Sequence, residues 1–175
     1  LKPANPGFGY QFQRTDLPGS PVIKADCDLV TDTARGTTLV KGDCKVSTVE
    51  HILAALVGMG VDNCLIELNG PEIPIIDGSS GPFVDIISKT GVLEQDAAKV
   101  WYTIDTNISY FDDVKKVEMT ALPAVNYQIT TLIDFNSPVL GTQHASLKSM
   151  KEFQTEIATC RTFCFLHELE MLLDN

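Results

Sequence analysis

The chain has 175 residues, 44% of them hydrophobic and 21% charged, with a mean hydropathy of +0.07, which suits one sizeable core or two small ones. Its 23 acidic and 13 basic side chains give a net charge of -10, and with no basic patch to offset it the chain repels polyanions, so nucleic acid is not expected as a partner. No apolar run approaches the roughly 18 residues of a membrane span and no leader-like segment opens the chain, so a soluble cytoplasmic protein without stable membrane insertion is expected.

The first stretch, residues 1–25, is rich in Pro and Gly around short extended pieces such as Tyr10-Gln11-Phe12 and reads as strands and turns. Over residues 47–57 the period changes. Val49, Ile52, Leu53 and Leu56 fall at i, i+3, i+4 and i+7, one stripe of an amphipathic helix, and Gly58 and Gly60 stop it. Residues 61–68 alternate with Cys64, Ile66 and Leu68 on one face, the period of a half-buried strand that Asn69-Gly70 turns. Pro71 and Pro74 argue against a central strand next, while Asp77-Gly78-Ser79-Ser80 offers a turn and an N-cap for a helix over 82–88, ended by Gly91.

The polar stretch 94–99 is the best boundary, giving domains at 1–95 and 96–175. Beyond it, strands are predicted at 100–104, 117–122 and 127–135, then helices at 150–160 and 166–173. Strands then helices, twice, predict an α+β protein of two similar layered α/β-sandwich domains, incomplete in this chain. The sequence starts at Leu1 and stops at Asn175 inside a predicted helix, so a fragment is expected. Cys27, Cys44, Cys64, Cys160 and Cys164 form an odd set without a CxxC pair, which fits reduced thiols rather than disulfides or a thiolate zinc site.

The chemically informative segment is Ser47-Thr48-Val49-Glu50-His51, a carboxylate and an imidazole side by side in the first turn of the predicted helix. With Val49 as zero, His51 lies about 200° round the helix, off the apolar stripe. Ala54, Ala55 and Gly58 line that opposite face, so something must approach it closely: a cleft with a metal or substrate, or a second packed domain. Spacing alone leaves two readings of Glu50. Ser47-x-x-Glu50 matches a capping box, in which Glu bonds back to the Ser amide, and a lone His supplies one donor where a metal site needs three or four. On that reading the chain is a non-catalytic α+β binding or structural module.

The run Ser47-Thr-Val-Glu-His-Ile-Leu-Ala-Ala-Leu, continued by Gly58, Gly60-Val-Asp-Asn63, Pro71-Glu-Ile-Pro-Ile-Ile-Asp-Gly-Ser79 and Pro82-Phe83, resembles the signature of the UDP-3-O-acyl-N-acetylglucosamine deacetylase family. Asp134-Phe135, Glu156-Ile157-Ala158 and Arg161-Thr162-Phe163 resemble a second block, with Cys164 where the family usually has glycine. Asp32-Thr33 and Thr37-Thr38-Leu39 resemble the loop before the motif, with Ala34-Arg35-Gly36 differing. The resemblance implies zinc-dependent removal of the N-acetyl group from a UDP-linked acylated glucosamine in lipid A biosynthesis. It implies His51 as a zinc ligand, Glu50 as the base that deprotonates water, Thr162 as a hydrogen-bond donor to the oxyanion, and Phe163 at the mouth of the acyl-chain passage.

The same resemblance puts the family's other His and Asp ligands, a nearby Lys and the His that protonates the leaving amine after Asn175. This piece is therefore expected to bind zinc weakly, to lack turnover alone and to self-associate through apolar surface left open. His144 and His167 are expected on solvated surface, Cys164 as a small buried residue, and Asp77-Gly78-Ser79 as a turn leading into a helix cap.

Overall fold

The structure, a computed structural model, describes residues 1–166. It divides into two units, Leu1–Ala97 with the segment from Phe153 onward, and Ala98–Glu152. The first unit runs β1 (Lys2–Pro3), β2 (Tyr10–Arg14), β3 (Val22–Lys24), β4 (Val30–Asp32), β5 (Thr38–Lys41), β6 (Cys44–Val46), α1 (Glu50–Gly58), β7 (Cys64–Leu68) and α2 (Gly81–Thr90). The chain is α+β, with several small sheets.

Four strands form a sheet in the order β1-β7-β2-β3, in which β2 and β7 run parallel and the other pairs antiparallel. A parallel pair needs a long crossover. Here it consists of β3, the antiparallel sheet β4-β5-β6 and α1. Phe12, Ile23 and Ile66 from the larger sheet, Val46 from the smaller one, Val49 and Leu56 from α1 and its start, and Phe83 and Val84 from α2 are all buried. Each large apolar side chain removed from water in this way contributes about 1.5–3 kcal/mol. The α1 stripe is buried at Val49, Ile52 and Leu56, with Leu53 half-buried.

Several predicted elements differ in extent. The first helix was expected over 47–57 but begins at Glu50, because Ser47 is engaged in a parallel bridge with Glu72 and donates its N–H to Pro71 O at 2.8 Å. The helix expected over 82–88 spans Gly81–Thr90 and is closed by Gly91 at φ +83°. Ser80 occupies its N-cap position without a side-chain cap bond. The strands β5 and β6 have no counterpart in the prediction, being three or four residues long around Gly42 at φ +58°.

The second unit holds two antiparallel hairpins, β8 (Ile108–Asp112) with β9 (Val117–Ala121), and β10 (Ile129–Asp134) with β11 (Thr142–Leu147). The predicted strand at 100–104 does not form: Val100 and Tyr102 are 93% and 90% exposed and lie in irregular chain. Among the described residues no strand pairs with this segment, so nothing rewards its extension. The predicted helix over 150–160 is replaced by a 3-10 turn, Met150–Glu152, and a π-helical turn, Phe153–Ile157. The helix predicted over 166–173 and His167 lie outside the described residues, apart from Leu166.

Candidate active site

Thr48 and Ile76 are β-branched residues at φ +60° and +54°, a region such residues rarely enter and that costs about 1–3 kcal/mol each. Thr48 stands two residues before α1, and Ile76 just before the Asp77–Ser80 turn. Surrounding contacts hold both. Thr48 Oγ1 donates to Glu72 Oε1 at 2.7 Å, and the turn that contains Ile76 is closed by Gly78 N donating to Ile75 O at 2.9 Å.

Glu50 is the first residue of α1, half-buried, with Val49 in the N-cap position and no side-chain cap bond. Its Oε2 accepts from Thr37 N at 2.9 Å, and a Cβ on Gly36 would stand 3.1 Å from its Oε1. The carboxylate therefore faces the 36–37 loop, not Ser47. The capping box suggested by spacing is absent, since the Ser47 amide is spent on Pro71 O and the Ser47 hydroxyl accepts from Thr38 Oγ1 at 3.1 Å.

His51 is half-buried and its carbonyl accepts from Ser80 Oγ at 3.0 Å, which ties the first turn of α1 to the start of α2. Among the described residues no hydrogen bond or ion pair engages its imidazole. The ring is thus available as a donor to a metal, but it is one donor, and a catalytic zinc takes about three from protein. Among the described residues, the group of three acidic or thiol side chains close enough to share an ion is Asp26, Cys27 and Asp28, all exposed. His51 is not among them, so the described residues do not complete a zinc site around it.

The turn docked on His51 also receives Thr162. Gly78 O accepts from Thr162 N at 2.8 Å, and the Thr162 Cγ2 lies 3.5 Å from where a Gly78 Cβ would be. Asp77 Oδ1 accepts from both Ser79 N (3.0 Å) and Ser79 Oγ (2.8 Å), and Ser79 Oγ in turn accepts from Gly81 N at 3.1 Å. Arg161 Nη2 stands 3.8 Å from Asp77 Oδ2. The Ser79 hydroxyl bond, with Arg161 adding to it, holds the Asp77 carboxyl below the usual carboxylate range. Glu50 and His51 therefore share the head of α1, and two hydrogen bonds through residues 78–80 bring Thr162 onto the same turn.

Phe163 is 61% exposed and packs edge-on against Phe165, ring centroids 5.8 Å apart. Cys164 between them is exposed, contrary to expectation, because the two rings pack on each other instead of enclosing it. His144 is exposed on β11. A polar pocket lined by Asp32, Arg35, Gly36, Thr38, Ser47, Thr48 and Glu72 adjoins the loop that holds Glu50. The Thr37 amide and the Ser80 hydroxyl, the partners of the pair, were not legible in the sequence. A backbone N–H leaves no trace in side-chain pattern, and Ser80 read as a cap.

A family model described as "LpxC: UDP-3-O-acyl N-acetylglycosamine deacetylase" matches residues 1–175. The chain is 47% identical over 176 residues to a "Bifunctional enzyme LpxC/FabZ" of Chlorobaculum tepidum, covering 100% of this chain and 38% of that protein. It is 44% identical to the "UDP-3-O-acyl-N-acetylglucosamine deacetylase" of Methylococcus capsulatus, covering 100% of this chain and 58% of that protein. The protein of the same name in Myxococcus xanthus is also 44% identical, with 98% of this chain and 54% of that protein covered. The chain thus spans roughly two to three fifths of the length of the curated relatives it matches.

Proposed function

Because the chain belongs to the UDP-3-O-acyl-N-acetylglucosamine deacetylase family, we propose that the whole protein containing it hydrolyses the N-acetyl group of UDP-3-O-(3-hydroxyacyl)-N-acetylglucosamine, releasing acetate, in lipid A biosynthesis. The observation that carries the reading to this site is the head of α1. There the Glu50 carboxylate is anchored on Thr37 N, His51 follows it in the same first turn, and the turn bonded to the His51 carbonyl also binds Thr162.

In this mechanism Glu50 takes a proton from the attacking water as its oxygen bonds to the acetamide carbon. A carboxylate held by one amide keeps its other oxygen for that proton, the geometry a general base requires. The Thr162 hydroxyl donates to the carbonyl oxygen as negative charge develops on it, a contribution often worth about 3 to 4 kcal/mol per well-placed donor. Collapse breaks the C–N bond, the amine leaves with a proton delivered by a general acid from outside this chain, which balances the one Glu50 took from water, and acetate is released. The exposed Phe163 ring offers apolar contact to the acyl chain at the edge of the site.

We further propose that the whole protein is zinc-dependent, with His51 as one ligand and the remaining ligands contributed from outside this chain. Zinc supplies Lewis-acid polarisation of the carbonyl and makes water acidic enough for Glu50 to deprotonate near neutral pH. This chain alone is accordingly proposed to bind zinc weakly and to be inactive. A cytoplasmic setting is part of the same proposal; none of the described helices is long and apolar enough to cross a membrane. The test is direct assay of acetate release from the acylated UDP-sugar by the full-length protein. Stoichiometric acetate and free amine support the reading, and an unreacted substrate in the presence of folded, zinc-supplemented protein overturns it.

A further inference from the structure

Gly58, the last residue of α1, has no room for a side chain. A Cβ there would stand 2.0 Å from Phe153 Cδ1 and 2.3 Å from Cε1, distances that only glycine avoids. At Gly58 the small-residue face noted in the sequence therefore meets a ring from the segment that leads to Thr162. That segment touches two further glycines. A Cβ on Gly81 would lie 3.5 Å from Ala158 O, and the Gly78 position meets Thr162 as described above.

Phe153 and Ala158 are 5% and 1% exposed, while Gln154, Thr155 and Glu156 between them are exposed. In an α-helix the fifth residue on is turned about 140° away from the first, at 100° per residue. The two buried side chains would then project from nearly opposite sides of the segment. The π turn resolves this: Ala158 N donates to Phe153 O at 2.8 Å, the i→i+5 bond that stacks the two residues on one side, and such turns are frequent at functional sites.

We infer that this π turn is a register device for the proposed deacetylase site, with Phe153 and Gly58 as positioning residues for Thr162. The helix α1 serves as its ruler. Glu50 and His51 sit at one end and Phe153 is keyed to Gly58 at the other, about 12 Å along at 1.5 Å per residue. From that anchor the chain runs through Ala158 at Gly81 to Thr162 at Gly78. The inference rests on the reading of Thr162 as the oxyanion donor. It adds that the donor's placement is set at the opposite end of the helix that carries the base.

The test is a double-mutant cycle in the full-length protein, following kcat and KM for acetate release. Gly58→Ala drives the ring off its seat, and kcat is expected to fall on the order of 10- to 100-fold with KM little changed, as for a misplaced catalytic group. In a Thr162→Val background the same substitution is expected to cost almost nothing further, because the hydroxyl it displaces is gone. Phe153→Leu, which removes the ring without a clash, takes the place of Gly58→Ala in the cycle should the alanine variant fail to fold. Losses in kcat that simply multiply would overturn the register inference while leaving the reading of Thr162 intact. Wild-type kcat in Thr162→Val alone would overturn both.

Discussion

Replacing Glu50 by glutamine separates its two capacities, holding the 36–37 loop and accepting a proton. The amide keeps an oxygen able to accept from Thr37 N, so the 2.9 Å bond survives, and stability is expected to change by less than about 1 kcal/mol. For a domain of this size that is a Tm shift under about 4 °C. Proton acceptance is lost, and kcat is expected to fall about 10²–10⁴-fold, a barrier increase of about 2.7–5.4 kcal/mol. Glu50→Ala loses the bond as well, leaving the Thr37 amide to water and costing about 1 kcal/mol more. The assay is acetate release by the full-length protein at saturating substrate, beside thermal melts and zinc content of each variant. A glutamine variant that keeps its rate within about threefold, with loss only in alanine, would show that Glu50 organises the loop and that the base is elsewhere.

Thr162→Val is expected to lower kcat and kcat/KM by similar factors while Thr162→Ser keeps much of the rate; unchanged kcat with only a shifted Tm would show that the hydroxyl has no part in the transition state. The isolated 175-residue chain is expected to hold zinc weakly, to show no turnover and to associate through apolar residues such as those of β8 and β10, of which Phe111 and Leu132 are 58% and 70% exposed; chelator-resistant stoichiometric zinc, or a strictly monomeric sedimentation profile, would contradict the respective parts. The Asp77 carboxyl, lowered first by the Ser79 hydroxyl and also by Arg161, has a folded value below its unfolded one. Its contribution is therefore present above the ordinary carboxylate range and lost as pH falls through the lowered value. Asp77→Asn is expected to flatten that acid limb in pH-dependent melts, and an unchanged acid limb would refute the assignment.

The helix and its buried stripe were legible because four apolar residues at helical spacing between Ser47 and Gly58 leave little else to form. The strand β7 was legible for the same reason at period two, and Cys64 and Ile66 are buried as the alternation required. What the sequence hid was set by contacts distant in the chain. Ser47-x-x-Glu50 satisfies a local rule, yet the Ser47 amide meets Pro71 and the Glu50 carboxylate meets Thr37, so a tertiary partner outcompeted the local one. Residues 150–160 were expected as an α-helix, but burying both Phe153 and Ala158 goes with a wider, π turn. The Glu50-His51 pair stood out as chemistry, while its indirect link to Thr162 runs through a serine hydroxyl and a glycine carbonyl that no pattern marks.

The central claim, that His51 at the head of α1 helps hold a zinc required for deacetylation, is tested most directly by zinc stoichiometry and acetate release in the full-length protein and its His51→Ala variant. The parent protein is expected to hold roughly one chelator-removable zinc per chain, to lose activity on chelation and regain it with zinc, and the variant to lose metal and activity together. Full zinc occupancy and undiminished acetate release in His51→Ala would contradict it.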